Sequence, residues 1–368
     1  LLFGVFSTRC NPVGTKSVVR PAHPPHPLMS FRTISGSQVA DLLPMKQAIE
    51  LTRSGFVALA EGRTQMPNRQ RIKTDDGDML LKPCLLPGHG TSVKLVTTCP
   101  GNSELGLPLV QGLVLVFDDV TGTPRAVIDA GALTAIRTGA GGGLAIDLLA
   151  RRDSSSVALI GAGVQSRQQL LAAMTVRSIE RVSVFDPSDE AFGILKKEFE
   201  ARPNAPLISR VANPDDGIAD ADIVITATTS PVPTFHGSLL RAGTHVNAIG
   251  AYQPDRRELD EETMRRAYVV VDGLAAAGRE AGELLIPGIT ADADLGELVT
   301  GTKPGRTSED QITVFKSVGM AIQDAVNACF VLEQADLLEV GQEIELADLP
   351  IGPRLSNGLE FEAYMPEI

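Results

Sequence analysis

The sequence predicts an α/β protein in which a doubly wound parallel sheet is inserted into a discontinuous α+β domain. Three observations carry this. Between Ser155 and Val271, short and nearly continuous apolar runs alternate with helical stretches, the pattern of βαβ units around a buried sheet. A glycine turn, Gly161-Ala-Gly163, joins the first of these runs to its helix. Ahead of it, from Arg69 to Ile128, apolar runs alternate with Gly, Pro and Asp turns, as in a mostly antiparallel sheet. The 368 residues suit two domains of ordinary size, and 43% hydrophobic against 21% charged residues is a globular composition.

The elements follow in chain order. From Leu1 to Ala40 there is no acidic residue but four basic ones, Arg9, Lys16, Arg20 and Arg32, around a Pro-rich stretch. Two readings stay open: an organellar targeting segment, or an extension without fixed structure. From Val39 to Ala60, apolar residues at helical spacing predict one or two amphipathic helices. Leu80-Leu81, Val93–Thr97, Leu113–Phe117 and Ala126–Ile128 read as strands. Ala132 to Arg151 has helical character. Val157–Ile160, Val182–Phe185, Ile223–Thr226, Val246–Ile249 and Tyr268–Val271 read as parallel strands, with helices at Gln165–Val176 and Asp189–Glu200. Ile312 to Leu337 reads as one long helix, and 339–368 as irregular. The front segment has too few strands for its own closed sheet, so it is expected to recruit the C-terminal helix.

Charge excludes several functions. A net charge of −12 speaks against nucleic acid and against an anionic membrane surface as partners. No run of 18 apolar residues escapes a charge or a Pro, so no transmembrane helix is expected. Cys10, Cys84, Cys99 and Cys329 form no C-x-x-C, and a reduced cytoplasmic protein is the expectation. His23, His26, His89, His236 and His245 show no metal-ligand spacing, so no metal site is expected.

The strongest local signal is Gly161-Ala-Gly163-Val164-Gln165-Ser166, close to G-x-G-x-x-G/A with Ser in the third place. The first Gly permits the turn and the second lets the backbone approach a pyrophosphate, which meets free N–H groups at the helix start. Asp186 ends the next strand 25 residues after Gly161. An acid there accepts from a ribose diol and repels a 2′-phosphate, which favours NAD(H) over NADP(H). The context, strand before and helix after, makes this a Rossmann-type site. Gly139-Ala-Gly141-Gly142-Gly143 only imitates a phosphate loop: no strand precedes it and no Lys-Ser/Thr follows. It reads as a thin helix for close packing, each Gly costing about 1 kcal/mol relative to Ala.

With these motifs in place the chain resembles the ornithine cyclodeaminase/μ-crystallin family. The resemblance runs from about Val39 to Gln342 and rests on seven segments in order: Met66-Pro-Asn-Arg69, Val93-Lys94-Leu-Val, Ala135-Ile-Arg137-Thr-Gly-Ala, the Gly161 motif, Val246-Asn247-Ala-Ile-Gly250-Ala251, Arg257-Glu258-Leu-Asp260 and Thr313-Val-Phe-Lys316-Ser317-Val-Gly319. It implies a homodimeric nicotinamide enzyme with an amino or imino acid substrate bound between domains. Residues 31–134 with 320–368 would form the substrate-binding and dimerisation domain, 135–319 the nucleotide domain, and 1–30 a disordered extension. By the same resemblance Arg69 would hold the substrate carboxylate, Lys94 would face the reacting C–N centre, and Arg137 would be a second pocket contact. Thr228, Thr229 and Ser230 would lie near the nicotinamide ribose with Gly250, and Lys316, Ser317 and Gly319 would close over the nicotinamide.

One departure matters. The cyclodeaminases of the family carry a catalytic Asp two residues after the Gly250 position, where this chain has Tyr252. A phenol of ordinary pKa near 10 is no carboxylate base. The expectation is therefore an NAD(H)-dependent oxidoreductase of the ketimine reductase or alanine dehydrogenase kind. Ornithine cyclodeamination, and a non-catalytic crystallin-like binding protein, are the alternatives. Without the resemblance, Arg69 and Arg137 would read as salt-bridge partners, Asp129 and Glu258 as structural, and Cys84 and Cys99 as core or loop residues.

Overall fold

The computed structural model describes residues 28–348. Residues 1–27 of the N-terminal stretch, on which both its readings chiefly rest, and most of the segment beyond 339 therefore lie outside the described residues. The front of the chain runs β1 (Leu28–Ile34), α1 (Gly36–Leu42), α2 (Met45–Ala60), β2 (Gln70–Thr74), β3 (Gly77–Leu86), β4 (Gly90–Thr98), β5 (Val110–Phe117), β6 (Pro124–Asp129) and α3 (Ala130–Leu149). The middle holds β7 (Ser156–Ile160), α4 (Val164–Val176), β8 (Arg181–Phe185), α5 (Asp189–Glu200), β9 (Leu207–Arg210), α6 (Pro214–Ile218), β10 (Ile223–Thr226), β11 (His245–Ala248), α7 (Glu261–Arg266) and β12 (Tyr268–Val271). Then come α8 (Leu274–Glu280), α9 (Gly282–Leu285), β13 (Ala293–Asp294), α10 (Leu295–Val299), β14 (Thr313–Lys316), α11 (Ala321–Leu337) and β15 (Gln342–Asp348).

Two sheets result. The first has the order β15-β1-β6-β5-β4-β3-β2, antiparallel except where β1 meets β6. Its β3 and β4 alternate buried and half-buried residues along their length, so one face is core and the other outward. The inner face lies on α11, with α2 and α3 behind. The second sheet has the order β13-β12-β14-β11-β10-β7-β8-β9 and is parallel throughout. β7 sits between β8 and β10, so the chain order reverses beside it. That reversal opens a crevice at the carboxyl ends of the strands, the place where doubly wound sheets bind ligands.

Four expectations differ from the structure. The segment 312–337 is not one helix. Thr313–Lys316 is a fully buried strand hydrogen-bonded between β11 and β12, and the helix starts only at Ala321, after Gly319 at φ +80°. A short apolar run has no period of its own, and the parallel neighbours claim its backbone. The segment after 339 is not irregular throughout, because Gln342–Asp348 pairs antiparallel with β1. β1 itself starts inside the expected extension, at Leu28. An edge strand with a polar side leaves little apolar signal. The boundary drawn between 134 and 135 falls inside α3, one unbroken helix of 20 residues.

The glycines of α3 find their reason in packing. A Cβ on Gly139 would stand 2.8 Å from the Gln168 carbonyl of α4, and one on Gly142 1.9 Å from Gln169 Oε1. Gln169 Nε2 donates to the Thr138 carbonyl (2.8 Å), and Asn247 Nδ2 donates to the Gly142 carbonyl and to Gln169 Oε1 (both 3.1 Å). α3 thus lies against both α4 and the end of β11, and it joins the two sheets.

Candidate active site

The crevice at the strand ends is a cleft of about 930 Å³ between the two sheets. Its nucleotide side is built from local sequence. Gly161 closes β7 at φ +97°, and a Cβ there would meet the Ala227 carbonyl at 2.7 Å, so only glycine makes this turn. Gly163 caps α4 and a Cβ on it would meet nothing within 4 Å, which leaves room for a pyrophosphate against the helix N-terminus. Val164 and Gln165 line the cleft beside it. Asp186 ends β8, and its carboxylate accepts from Ala162 N (2.7 Å) and Ser188 N (2.8 Å). These contacts hold it next to the glycine turn, where it can face a ribose. A dinucleotide therefore fits the residues present.

The opposite wall comes from the ends of β10 and β11. Thr228, Thr229 and Gly250 line it, and Ser230 turns away to donate to the Val232 carbonyl (2.7 Å). Glu258 secures the wall. Fully buried, it accepts from Thr228 N (2.7 Å), Thr228 Oγ1 (2.8 Å), Thr226 Oγ1 (3.1 Å) and Gly250 N (2.6 Å). Four donors satisfy the carboxylate without a cation, and they lock both strand ends together. Gly250 leaves it room, since a Cβ there would stand 2.6 Å from Glu258 Oε1.

The far end of the cleft is cationic. Arg137 of α3 lines it together with Tyr252, Ser317 and Gly319. Asp272 at the end of β12 shapes the 317–319 turn by accepting from Ser317 Oγ and Val318 N (both 2.9 Å) and from Gly319 N (2.5 Å). Lys94 sits behind this wall, 1% exposed. Its Nζ donates to Asp324 Oδ1 (2.6 Å) and Thr134 Oγ1 (3.2 Å), and Arg137 Nε lies 2.9 Å from the same Asp324 oxygen. Burial, then Arg137, push the Lys94 ammonium well below the usual lysine range. Asp324 goes the other way: burial raises it, but Arg137, Lys94 and Lys82 outweigh burial and hold it below the usual carboxylate range.

Lys82, like Asp272 and Asp324, is a residue that the sequence reading missed. It opposes Lys94 directly in the β3–β4 register, on the inner face, and is 5% exposed. Its ammonium donates to the Gly319 carbonyl (3.2 Å). Burial, then Arg137, bring its pKa down to about 8. A signal existed: Lys82 has the same strand parity as Leu80 and Leu86, hence faces the core, where an unpaired Lys is rare.

Two expected residues stand elsewhere. Lys316, as part of a central strand, is fully buried away from the cleft; its Nζ donates to the Ala251 carbonyl (2.5 Å) and to Glu283 Oε1 (3.1 Å). Arg69 reaches the rim rather than the wall. It pairs with Glu280 (2.7 Å), donates to the Val318 and Tyr252 carbonyls (both 3.2 Å), and lies 5.7 Å over the Tyr252 ring. Cys84 is buried in the first sheet with its thiol pushed up to about 12 by burial, which disqualifies it as a nucleophile. Asp129 caps α3, accepting from Ala132 N (2.7 Å). Among the described residues no three His, Cys, Asp or Glu converge on one point, and no helix is long and apolar enough to cross a membrane.

With the glycine-turn wall and the buried cation cluster described, the chain can be set beside known proteins. The ornithine cyclodeaminase/mu-crystallin family profile matches residues 32–337. The chain belongs to this family. Among its relatives is the alanine dehydrogenase of Archaeoglobus fulgidus, 36% identical over 323 residues, which cover 86% of this chain and 99% of the relative. The structure of Thermococcus litoralis Δ1-pyrroline-2-carboxylate reductase with NADH and L-proline is similar at TM-score 0.82 and 37% identity, covering 85% of this chain and 99% of that one. An archaeal alanine dehydrogenase dimer with bound NAD is similar at TM-score 0.82 and 34% identity, over 87% and 100%.

Proposed function

We propose that this family member is a nicotinamide-dependent oxidoreductase that interconverts a small α-imino acid and its α-amino acid, as a ketimine reductase. The observation that carries this is the pair Lys82 and Arg137 around Gly319: both are buried, and the Lys82 ammonium bonds to a carbonyl rather than to a carboxylate. Three buried cations against one close carboxylate leave positive charge uncompensated, which is costly, so the cleft suits an anion of the size of one carboxylate. The relatives, a pyrroline-2-carboxylate reductase and alanine dehydrogenases, support a substrate with carboxylate and nitrogen on one carbon.

When bound, the nicotinamide would supply or accept the hydride. The chain's residues orient the partners. Lys82 and Arg137 hold the carboxylate, and Lys94 behind them offers a proton to the nitrogen, burial and Arg137 making its ammonium a readier proton donor than an ordinary lysine. Glu258 keeps the Thr228 and Gly250 wall fixed, so that this wall would hold a bound nicotinamide in one orientation. Asp186 favours NAD(H). Arg210 donates to the Asp186 carbonyl (2.7 Å) and pairs with Asp189, so a cation also stands near this corner. Replacing Asp186 by Ser is expected to relax the preference toward NADP(H), read as the ratio of kcat/KM for the two coenzymes.

A homodimer is part of the proposal. The outward face of the first sheet carries cross-strand apolar rows, Leu81–Leu95–Leu113 and Pro83–Val93–Leu115, which water does not favour. The test is steady-state consumption of NADH with Δ1-piperideine-2-carboxylate and Δ1-pyrroline-2-carboxylate, beside pyruvate with ammonia, and ornithine. Turnover of a cyclic imine is the expected outcome. Release of ammonia from ornithine without net NADH formation would move the reading to cyclodeamination, and binding of NADH without any turnover would move it to a binding protein.

A further inference from the structure

Asp324 stands in the first turn of α11, 230 residues from Lys94, and the proposed chemistry does not use it directly. It is 1% exposed. One oxygen, Oδ1, accepts from Lys94 Nζ (2.6 Å) and lies 2.9 Å from Arg137 Nε as an ion pair, while Oδ2 has no hydrogen-bond partner among the described residues. Its neighbour Gln323 accepts from Arg137 NH1 (3.3 Å) and from Met320 N (2.9 Å). α3 makes room for this: a Cβ on Gly141 would stand 2.5 Å from Gln323 Nε2. The glycine stretch that imitates a phosphate loop thus admits the start of α11 to the cation cluster.

The charges converge from every element packed here. Lys82 comes from β3, Lys94 from β4, Arg137 from α3 and Asp324 from α11, with Thr134 of α3 as the neutral partner of Lys94. Asp272 and Arg69 act on Lys82 from further out. Three buried cations share one close carboxylate. If that carboxylate lost its charge, release of a proton from a lysine would be the least costly response, since Arg does not deprotonate.

We propose that Asp324 is a positioning residue for this reaction: through one shared oxygen it fixes Lys94 against Arg137 and keeps Lys94 in its ammonium form for proton delivery. The inference rests on the imine-reductase reading above.

The test is the Asp324→Asn variant, nearly isosteric and uncharged, compared with wild type over a range of pH. At neutral pH its kcat/KM for the accepted cyclic imine is expected to fall about 10²-fold, the usual reach of a placed general acid. Its alkaline limb is expected to move to lower pH by about one unit or more, because the charge that favours the ammonium is gone. Affinity for NADH, read by fluorescence, is expected to stay unchanged. A limb that stays at the wild-type pH, whatever the rate, overturns the proposal. Asp324→Glu keeps the charge and displaces the oxygen; it is expected to lower kcat with the limb where wild type has it. Should the Asn variant yield no folded protein, the Glu variant decides alone, and a moved limb overturns the proposal. Pyridine-2-carboxylate, a flat unreactive analogue whose ring nitrogen accepts a hydrogen bond, gives a readout without turnover: calorimetry is expected to show its affinity lost at lower pH in the Asn variant. A wild type that neither reduces an imine nor binds this analogue removes the functional reading together with the inference. Binding with the same pH dependence in both proteins removes only the role of Asp324.

Discussion

Lys82 and Lys94 face each other across β3 and β4, where like charges work against the sheet. Both are buried, so neither escapes into water. Lys82→Met is expected to remove this repulsion and to fill the same space with an apolar chain, raising the melting temperature. The same change is expected to raise KM for the imino acid about 10- to 100-fold, the worth of a hydrogen bond to a charged group. Thermal melting beside steady-state kinetics checks both signs, and a variant that loses stability with unchanged KM would assign Lys82 to the fold alone. Arg69 illustrates a different limit. Its motif was legible, but the partner it meets, Glu280, lies 211 residues away, and nothing local announces that pairing.

The element on which most depends is α3. It is glycine-rich where helices prefer Ala, yet it is buried over most of its length and touches α2, α4 and α11. Gly139→Ala would gain about 1 kcal/mol of helix propensity. It would also push a methyl to 2.8 Å from a backbone carbonyl of α4, which cannot step aside as a side chain can. Overpacking of that kind costs roughly 1–3 kcal/mol. The net expectation is a loss of about 0–2 kcal/mol, with weaker substrate binding because α3 also carries Arg137; chemical denaturation and KM measure the two. A stable variant of wild-type activity would show that the helices separate freely. The helical character of this stretch was readable from its period, and so was its role as a thin helix. What pressed against it was not, because the contacts of a glycine are written in its neighbours. β14 is the converse case: Thr313–Lys316 has no period of its own, and only β11 and β12 on either side make it a strand. That placement turns Lys316 away from the cleft toward Glu283.

At the scale of the molecule, the first sheet buries one face on α11 and leaves the other with apolar rows outward. Leu113 is 48% exposed and Ile72 52%. In a dimer these rows would be covered, and Leu95 lies at the centre of one, between Leu81 and Leu113. Leu95→Glu, placed outward where the monomer tolerates charge, is expected to halve the mass measured by sedimentation while the monomer stays folded. A variant of unchanged mass, or a wild type that is already monomeric, would refute this face as the interface. The cleft lies between the two sheets, with α3 common to both, so its geometry is a property of the whole chain rather than of either domain.

Local chemistry settled the parts of this protein that depend on neighbours in the chain. Gly161 at positive φ, the helix opening at Gly163 and Asp186 one strand later follow from backbone conformation and spacing, and they are legible residue by residue. The alternation of short apolar runs with helices likewise settled the parallel sheet. Folding in three dimensions decided which charges meet. Lys82, Lys94, Arg137 and Asp324 come from four elements spread over more than 240 residues. Only strand register and helix packing bring them within reach of one another, and burial then changes their acidity, an effect that no spacing in the chain encodes.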